Sequence, residues 1–319
     1  MWHLYLPLIV PALIIPALAG AAARPLAARL EPRQATWLLT SATVALAGCS
    51  TAALALLAAF AAARTPVLAA VGEYSQAVMR RGDPISAPAG AAAALALAGA
   101  AVAVAVMFRN RARALAESYR RAARLEADDG IVVVPGPFIE AYALPGWPGR
   151  IVVSGHLLDS LDSRRRAALI AHEQAHLAGR HHLFAAVARL AAAANPLLLP
   201  ISRSVEYTVE RWADEHAAAV TGDRRLVAET IGQVALLARP RRQRAAGIAL
   251  GIVRPRPRGV SVAWAGPVPR RVAALLTPPP RRRIILLAAS AAIVVLAGVA
   301  ALEAASDLHA LLELAQAAR

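Results

Sequence analysis

Residues 171–176 read Ala171-His172-Glu173-Gln174-Ala175-His176, and this stretch governs how the rest of the chain is read. An α-helix turns about 100° per residue, so His172 and His176 lie about 40° apart on one face. Two imidazoles at that spacing can share one Zn²⁺, while Glu173 can handle a water at the metal. The local context suits a buried helix: Ser163 is placed to cap it, and Ala167, Leu169, Ile170, Ala171 and Ala175 supply apolar positions.

Outward from this helix the chain becomes too apolar for an ordinary soluble domain. Hydrophobic residues make up 58% of it and the mean hydropathy is +0.50. Four runs account for the excess: Trp2–Ala22, Leu38–Ala63, Ile85–Phe108 and Ile284–Leu302. Each is long enough for a hydrocarbon core of about 30 Å, which takes roughly 20 helical residues. The first run lacks the basic start of a signal peptide and carries Pro7, Pro11 and Pro16, so it is read as a retained span.

The formal charge is +15, and every basic side chain is arginine. Their placement follows membrane topology. Arg109, Arg111, Arg113, Arg120, Arg121 and Arg124 follow the third run, and Arg281–Arg283 precede the fourth. Arg24, Arg29 and Arg33 lie between the first two. The loop from Arg64 to Pro84 is nearly balanced in charge, and the tail carries Glu303, Asp307 and Glu313. The positive-inside rule then puts the 109–282 region in the cytoplasm and both termini outside. The single cysteine, Cys49, excludes an internal disulfide or a thiolate metal site.

Between the third and fourth runs there is room for one domain. A basic helix over Asn110–Leu125 is expected, then a turn at Asp128-Asp129-Gly130. Short strands follow at Ile131–Val134, Phe138–Ala143 and Arg150–Val153, separated by Pro/Gly turns. Leu183–Pro200 reads as a helix buried in the domain or lying at the membrane surface. A polar helix over Ser202–Val220 and another over Leu226–Ala238 come next. Arg239–Pro280, rich in Pro, Gly and Arg, is expected to be irregular in part. No aromatic residues interleave the arginines of its Arg254-Pro255-Arg256-Pro257-Arg258 stretch, so nucleic-acid binding is not expected.

A catalytic zinc needs a third protein ligand. Glu210-Arg211-Trp212-Ala213-Asp214 offers Glu210, with Asp214 one turn on to hold a ligand histidine in its tautomer. Glu206 is the alternative ligand. Gly179 and His182 complete an HExxHxxGxxH pattern, but that class also needs a downstream methionine turn, and Met1, Met79 and Met107 are all upstream. His156 and His216 read as structural, His216 being also a candidate oxyanion donor.

Together, His172–His176, Ala194-Asn195-Pro196-Leu197 and Glu210–Glu215 resemble, in order, three blocks of the BlaR/MecR-type integral-membrane gluzincins. Arg270-Arg271-Val272 with Leu275-Leu276 is similar to the segment leading to that family's last span. The resemblance implies antirepressor peptidase activity, with Glu173 catalytic, His172, His176 and Glu210 on one Zn²⁺, and Asp214 behind them. That family's penicillin-binding sensor domain has no counterpart in the short stretch Glu303–Arg319, so direct covalent sensing of a β-lactam is not expected.

The expectation is therefore a mainly α, polytopic membrane protein with four transmembrane helices and an inserted α+β zincin domain. Its parts are three N-terminal spans over 1–108, a cytoplasmic zincin domain with a Pro/Arg-rich linker over 109–282, and a fourth span with an external tail over 283–319. Expected partners are the cytoplasmic-membrane lipid bilayer and a protein or peptide substrate, a winged-helix transcriptional repressor by resemblance. The oligomeric state stays open. An HtpX-like quality-control protease is the alternative function. A non-proteolytic membrane signalling partner is a second one, against which the intact motif set argues.

Overall fold

The computed structural model describes residues 10–63, 65, 87–136, 139–247 and 268–278, with scattered positions between 288 and 317. A π-helical turn at Val10–Ile14 leads into α1 (Ile15–Arg29), and α2 spans Pro32–Ala62. Pro32 occupies the first turn of α2, where its fixed φ fits and its missing N–H leaves no donor unsatisfied. Along α2, the hydroxyls of Thr36 and Ser50 donate to the carbonyls of Pro32 and Leu46 at 2.8 and 2.7 Å. These two hydroxyls are thereby satisfied within the helix itself.

Helix α3 (Ala87–Arg124) fuses two expected elements, the third apolar run and the basic stretch after it. No glycine or proline stands between Ala100 and Arg124, so nothing interrupts the hydrogen-bond ladder where the composition changes from apolar to basic. Its apolar side is open, with Leu95 75%, Val102 63% and Phe108 61% exposed, as a lipid-facing surface would be. Among the described residues two helices are long and apolar enough to cross a membrane, Pro32–Ala62 and Pro88–Arg124. They contain the second and third expected spans. Of the first, only a π-turn and a 15-residue helix are described. The fourth lies largely outside the described residues, as do the loop 66–86 and most of the tail.

Three strands follow: β1 (Ile131–Val134), β2 (Ala141–Leu144) and β3 (Arg150–Ser154), in the order β1-β3-β2. Strand β3 is central, parallel to β1 and antiparallel to β2, and Ile151, Val152 and Val153 are all buried. The expected second strand, Phe138–Ala143, begins later, at Ala141, and Phe138 is outside the described residues.

The helical remainder comprises α4 (Gly155–Asp159), α5 (Ser163–Ala178), α6 (His181–Ala194), a 3₁₀ turn at Pro196–Leu198, α7 (Leu199–Thr221), α8 (Arg224–Gly247) and α9 (Val268–Leu276). Asp162, not Ser163, caps α5: its carboxylate accepts from the Arg165 amide at 2.9 Å. In the Leu183–Pro200 stretch Ala188, Ala191 and Ala192 lie in the core, while Leu183, Val187, Leu197 and Leu199 are exposed. Asn195 opens the 3₁₀ turn, accepting from the Leu197 amide at 3.0 Å, and its own amide donates to Ser50 of α2 at 2.9 Å. Within the Arg239–Pro280 stretch α8 runs to Gly247 and α9 is helical, while 248–267 lies outside the described residues.

Helix α7 is the hub. It packs on α1 and α2 on one side and on α5 and α6 on the other. Small residues of α1 spaced three and four apart (Pro16, Gly20, Ala23, Ala27) are buried and face this packing. At Gly20 an added Cβ would meet the Leu197 carbonyl at 3.1 Å. Thr208 of α7 is 2.9 Å from Thr36 of α2, and Arg211 donates to the Ala27 carbonyl of α1 at 3.0 Å. Helices α5, α7, α8 and α9 share a second apolar cluster that includes Ala168, Ala217, Ile231 and Leu275.

Candidate metal centre

Helix α5 presents His172, Glu173 and His176 to the interior, each under 5% exposed. Helix α7 presents Glu210 and Asp214, one turn apart and equally buried. Nε2 of His172 and Nε2 of His176 lie 3.1 Å apart, and the Glu210 carboxylate lies 3.7–3.8 Å from both. One atom from each of His172, His176 and Glu210 falls within 4.8 Å of the others, as ligands of one ion would. A tetrahedral zinc with Zn–N of about 2.05 Å sets its nitrogens about 3.3 Å apart. Glu210 Oε1 is buried without a hydrogen-bond donor among the described residues, which suits a metal-facing oxygen.

Charge gives the same answer. Three carboxylates (Glu173, Glu210, Asp214) are buried here, against one guanidinium, Arg271, which is fully buried on α9. Its Nε donates to Asp214 Oδ2 at 2.8 Å, its Nη2 pairs with Oδ1, and its Nη1 lies 2.7 Å from Glu210 Oε2. A divalent cation together with Arg271 would neutralise all three carboxylates. Asp214 therefore bridges two roles, since its Oδ1 also lies 3.1 Å from His172 Nδ1.

Burial pushes the Glu173 carboxyl up to about 7, with His172 pulling the other way and the Ala143 amide of β2 hydrogen-bonded to it. For Asp214, burial is outweighed by Arg271 and His172, which hold it down to about 2. Burial keeps His176 neutral, far below its usual range, and brings His181 down to about 3. Burial also raises Glu210.

These shifts set a pH dependence for protein stripped of metal by chelation. Between pH 6.5 and 4.5 the folded chain refuses protons at His176 and His181 that the unfolded chain accepts, while Glu173 and Glu210 do the reverse. The two pairs oppose, so stability should change little. Below pH 4.5 the glutamates no longer compensate, and His176, His181, Asp214, Asp162 and Asp223 all favour the unfolded chain. Stability should then fall by about 1.4 kcal/mol per pH unit for each proton taken up. Thermal melting from pH 7 to 3.5 checks this; a steady decline beginning at pH 6.5 would contradict it.

Glu206, the alternative ligand, is not in the cluster; it pairs with Arg189 on the surface of α6. His182 is half-buried and also lies outside it, and His156 is exposed on α4. His216 is exposed on α7, one turn beyond Trp212. Two site residues escape a motif reading. Arg271 occupies an apolar-stripe position among Val268, Val272 and Leu275, and that misfit is its signal. His181 follows a helix break at Gly179-Arg180, so helical spacing from His176 gives no hint of it.

Residues 107–190 match the model of Peptidase family M48. Metallopeptidases of that family are typically zinc-dependent, so the match supports a zinc metallopeptidase, and the three-residue cluster is compatible with one. It runs from the end of the apolar part of α3 through the sheet and α5 into α6. Glu210, Asp214 and Arg271 lie beyond it and are supplied by the fold. No curated protein and no solved structure gives a significant match.

Proposed function

We propose that this chain is a membrane-embedded zinc endopeptidase. The observation that carries the reading is the convergence of His172, His176 and Glu210 from two helices beside the buried Glu173. Zinc held there would supply Lewis acidity and a water acidified toward neutrality. Glu173, with a carboxyl near 7, is suited to take a proton at neutral pH and return it to the leaving amine. Asp214 orients His172. The Ala143 amide on Glu173 brings edge strand β2 to the catalytic carboxylate, and an extended substrate pairing along β2 would meet it there. His216 is the proposed oxyanion donor.

The resemblance to BlaR/MecR-type peptidases favours a regulatory role: cleavage of a cytoplasmic protein such as a winged-helix repressor. An HtpX-like quality-control role remains the alternative. Purified full-length chain should carry close to one zinc, and His172→Ala, His176→Ala and Glu210→Ala should each deplete it and abolish cleavage. Zinc-free, inactive wild-type protein would overturn the proposal. Accumulation of an uncleaved repressor in cells carrying Glu173→Gln supports the regulatory role, whereas accumulation of misfolded membrane proteins supports quality control.

Orientation is proposed from the arginine distribution: catalytic region in the cytoplasm, both termini outside. In a Cys49→Ala background, Arg120→Cys and Arg254→Cys should resist a membrane-impermeant thiol reagent in intact cells, while Gln316→Cys reacts. Labelling of Arg120→Cys in unbroken cells would place the site outside and exclude a cytoplasmic substrate.

A further inference from the structure

We infer that His181 is a positioning residue that fixes the metal-binding tautomer of His176. The inference rests on the zinc reading above. His176 faces His172 and Glu210 with Nε2, so that nitrogen must carry a lone pair to serve as a ligand. Its proton then sits on Nδ1 and needs an acceptor. His181 Nδ1 lies 3.0 Å from His176 Nδ1. His181 therefore accepts through Nδ1 and keeps its own proton on Nε2, which is buried and has no hydrogen-bond partner among the described residues. The site bears the cost of that unsatisfied N–H to hold the acceptor in place.

Neighbouring groups pack the ring from two sides. The His181 ring packs against Trp212 of the ligand helix, centroids 4.6 Å apart and planes tilted by 49°. Trp212 is held in turn by Phe184 at 6.0 Å and, from the membrane helix α2, by the Arg33 guanidinium at 5.6 Å. On the other side, a Cβ at Gly179 would stand 2.3 Å from His181 Nε2. The backbone there makes room for the imidazole, which explains a glycine without any appeal to the HExxHxxGxxH pattern.

The test uses full-length protein in detergent, zinc, and a competing chelator of known affinity. In His181→Asn the side-chain oxygen stands near the Nδ1 position, whereas His181→Gln places its acceptor near Nε2, and His181→Phe keeps the stacking without any acceptor. Zinc affinity should stay within about threefold of wild type for His181→Asn and fall about 10–100-fold for His181→Phe and His181→Gln. Gly179→Ala, which displaces the ring, should fall equally. Wild-type affinity in His181→Phe or in Gly179→Ala, or equal affinities in His181→Asn and His181→Gln, overturns the inference. Absence of zinc from the wild type instead overturns the zinc reading itself. A loss in His181→Phe with an unchanged melting temperature in chelator separates positioning from folding.

Discussion

Glu173→Gln should retain zinc and the fold yet lose cleavage by about 10²–10⁴-fold, the usual contribution of a general acid–base group. The carboxylate is buried beside His172, and no other described carboxyl is free to replace it: Glu210 faces the metal position and Asp214 is held by Arg271 and His172. Zinc content by elemental analysis, set against hydrolysis of a quenched peptide, separates the two effects. Wild-type cleavage by Glu173→Gln would reject the mechanism, because the variant lacks the group proposed to take the proton.

The second large effect belongs to Arg271. Arg271→Met would leave Asp214 and Glu210 buried without their counter-charge, and breaking one side of a buried ion pair costs about 3–5 kcal/mol. For a protein of this size that corresponds to a melting temperature lower by on the order of 10 °C. Arg270→Met serves as the control. Arg270 lies over the Tyr207 ring at 4.3 Å and touches neither carboxylate, so its replacement should shift melting much less. Equal shifts in the two variants would mean that α9 is held by its apolar contacts alone.

How far the sequence could be read depended on whether an interaction lies within one helix. His172, Glu173 and His176 are set by a single helical period, and so is the Glu210–Asp214 pair; both groups were legible, as was Asp214's hold on a histidine. His181 and Arg271 were not. One is separated from its partner by the left-handed turn at Arg180. The other is brought to Asp214 by the docking of α9, some 57 residues along the chain, which no local pattern encodes. Strands β1 and β3 were found nearly to the residue because Pro/Gly turns bracket them. Helix α3 was divided in two since composition changes at Phe108, although the backbone has no reason to stop there.

That undivided helix has a mechanical consequence. Its 38 residues make a rod about 57 Å long, and the part beyond Phe108 extends about 24 Å past the apolar stretch. With neither glycine nor proline between Ala100 and Arg124, this part of the rod has no joint at which bending could be absorbed. Its far end touches β2, whose Ala143 amide rests on Glu173. A tilt of about 5° at the apolar end would swing the basic end by about 2 Å, more than separates a made hydrogen bond from a broken one. With the apolar part of the rod in a bilayer, as proposed, a change in its lean would reach the Glu173 carboxylate as a displacement rather than being lost in a flexible tether.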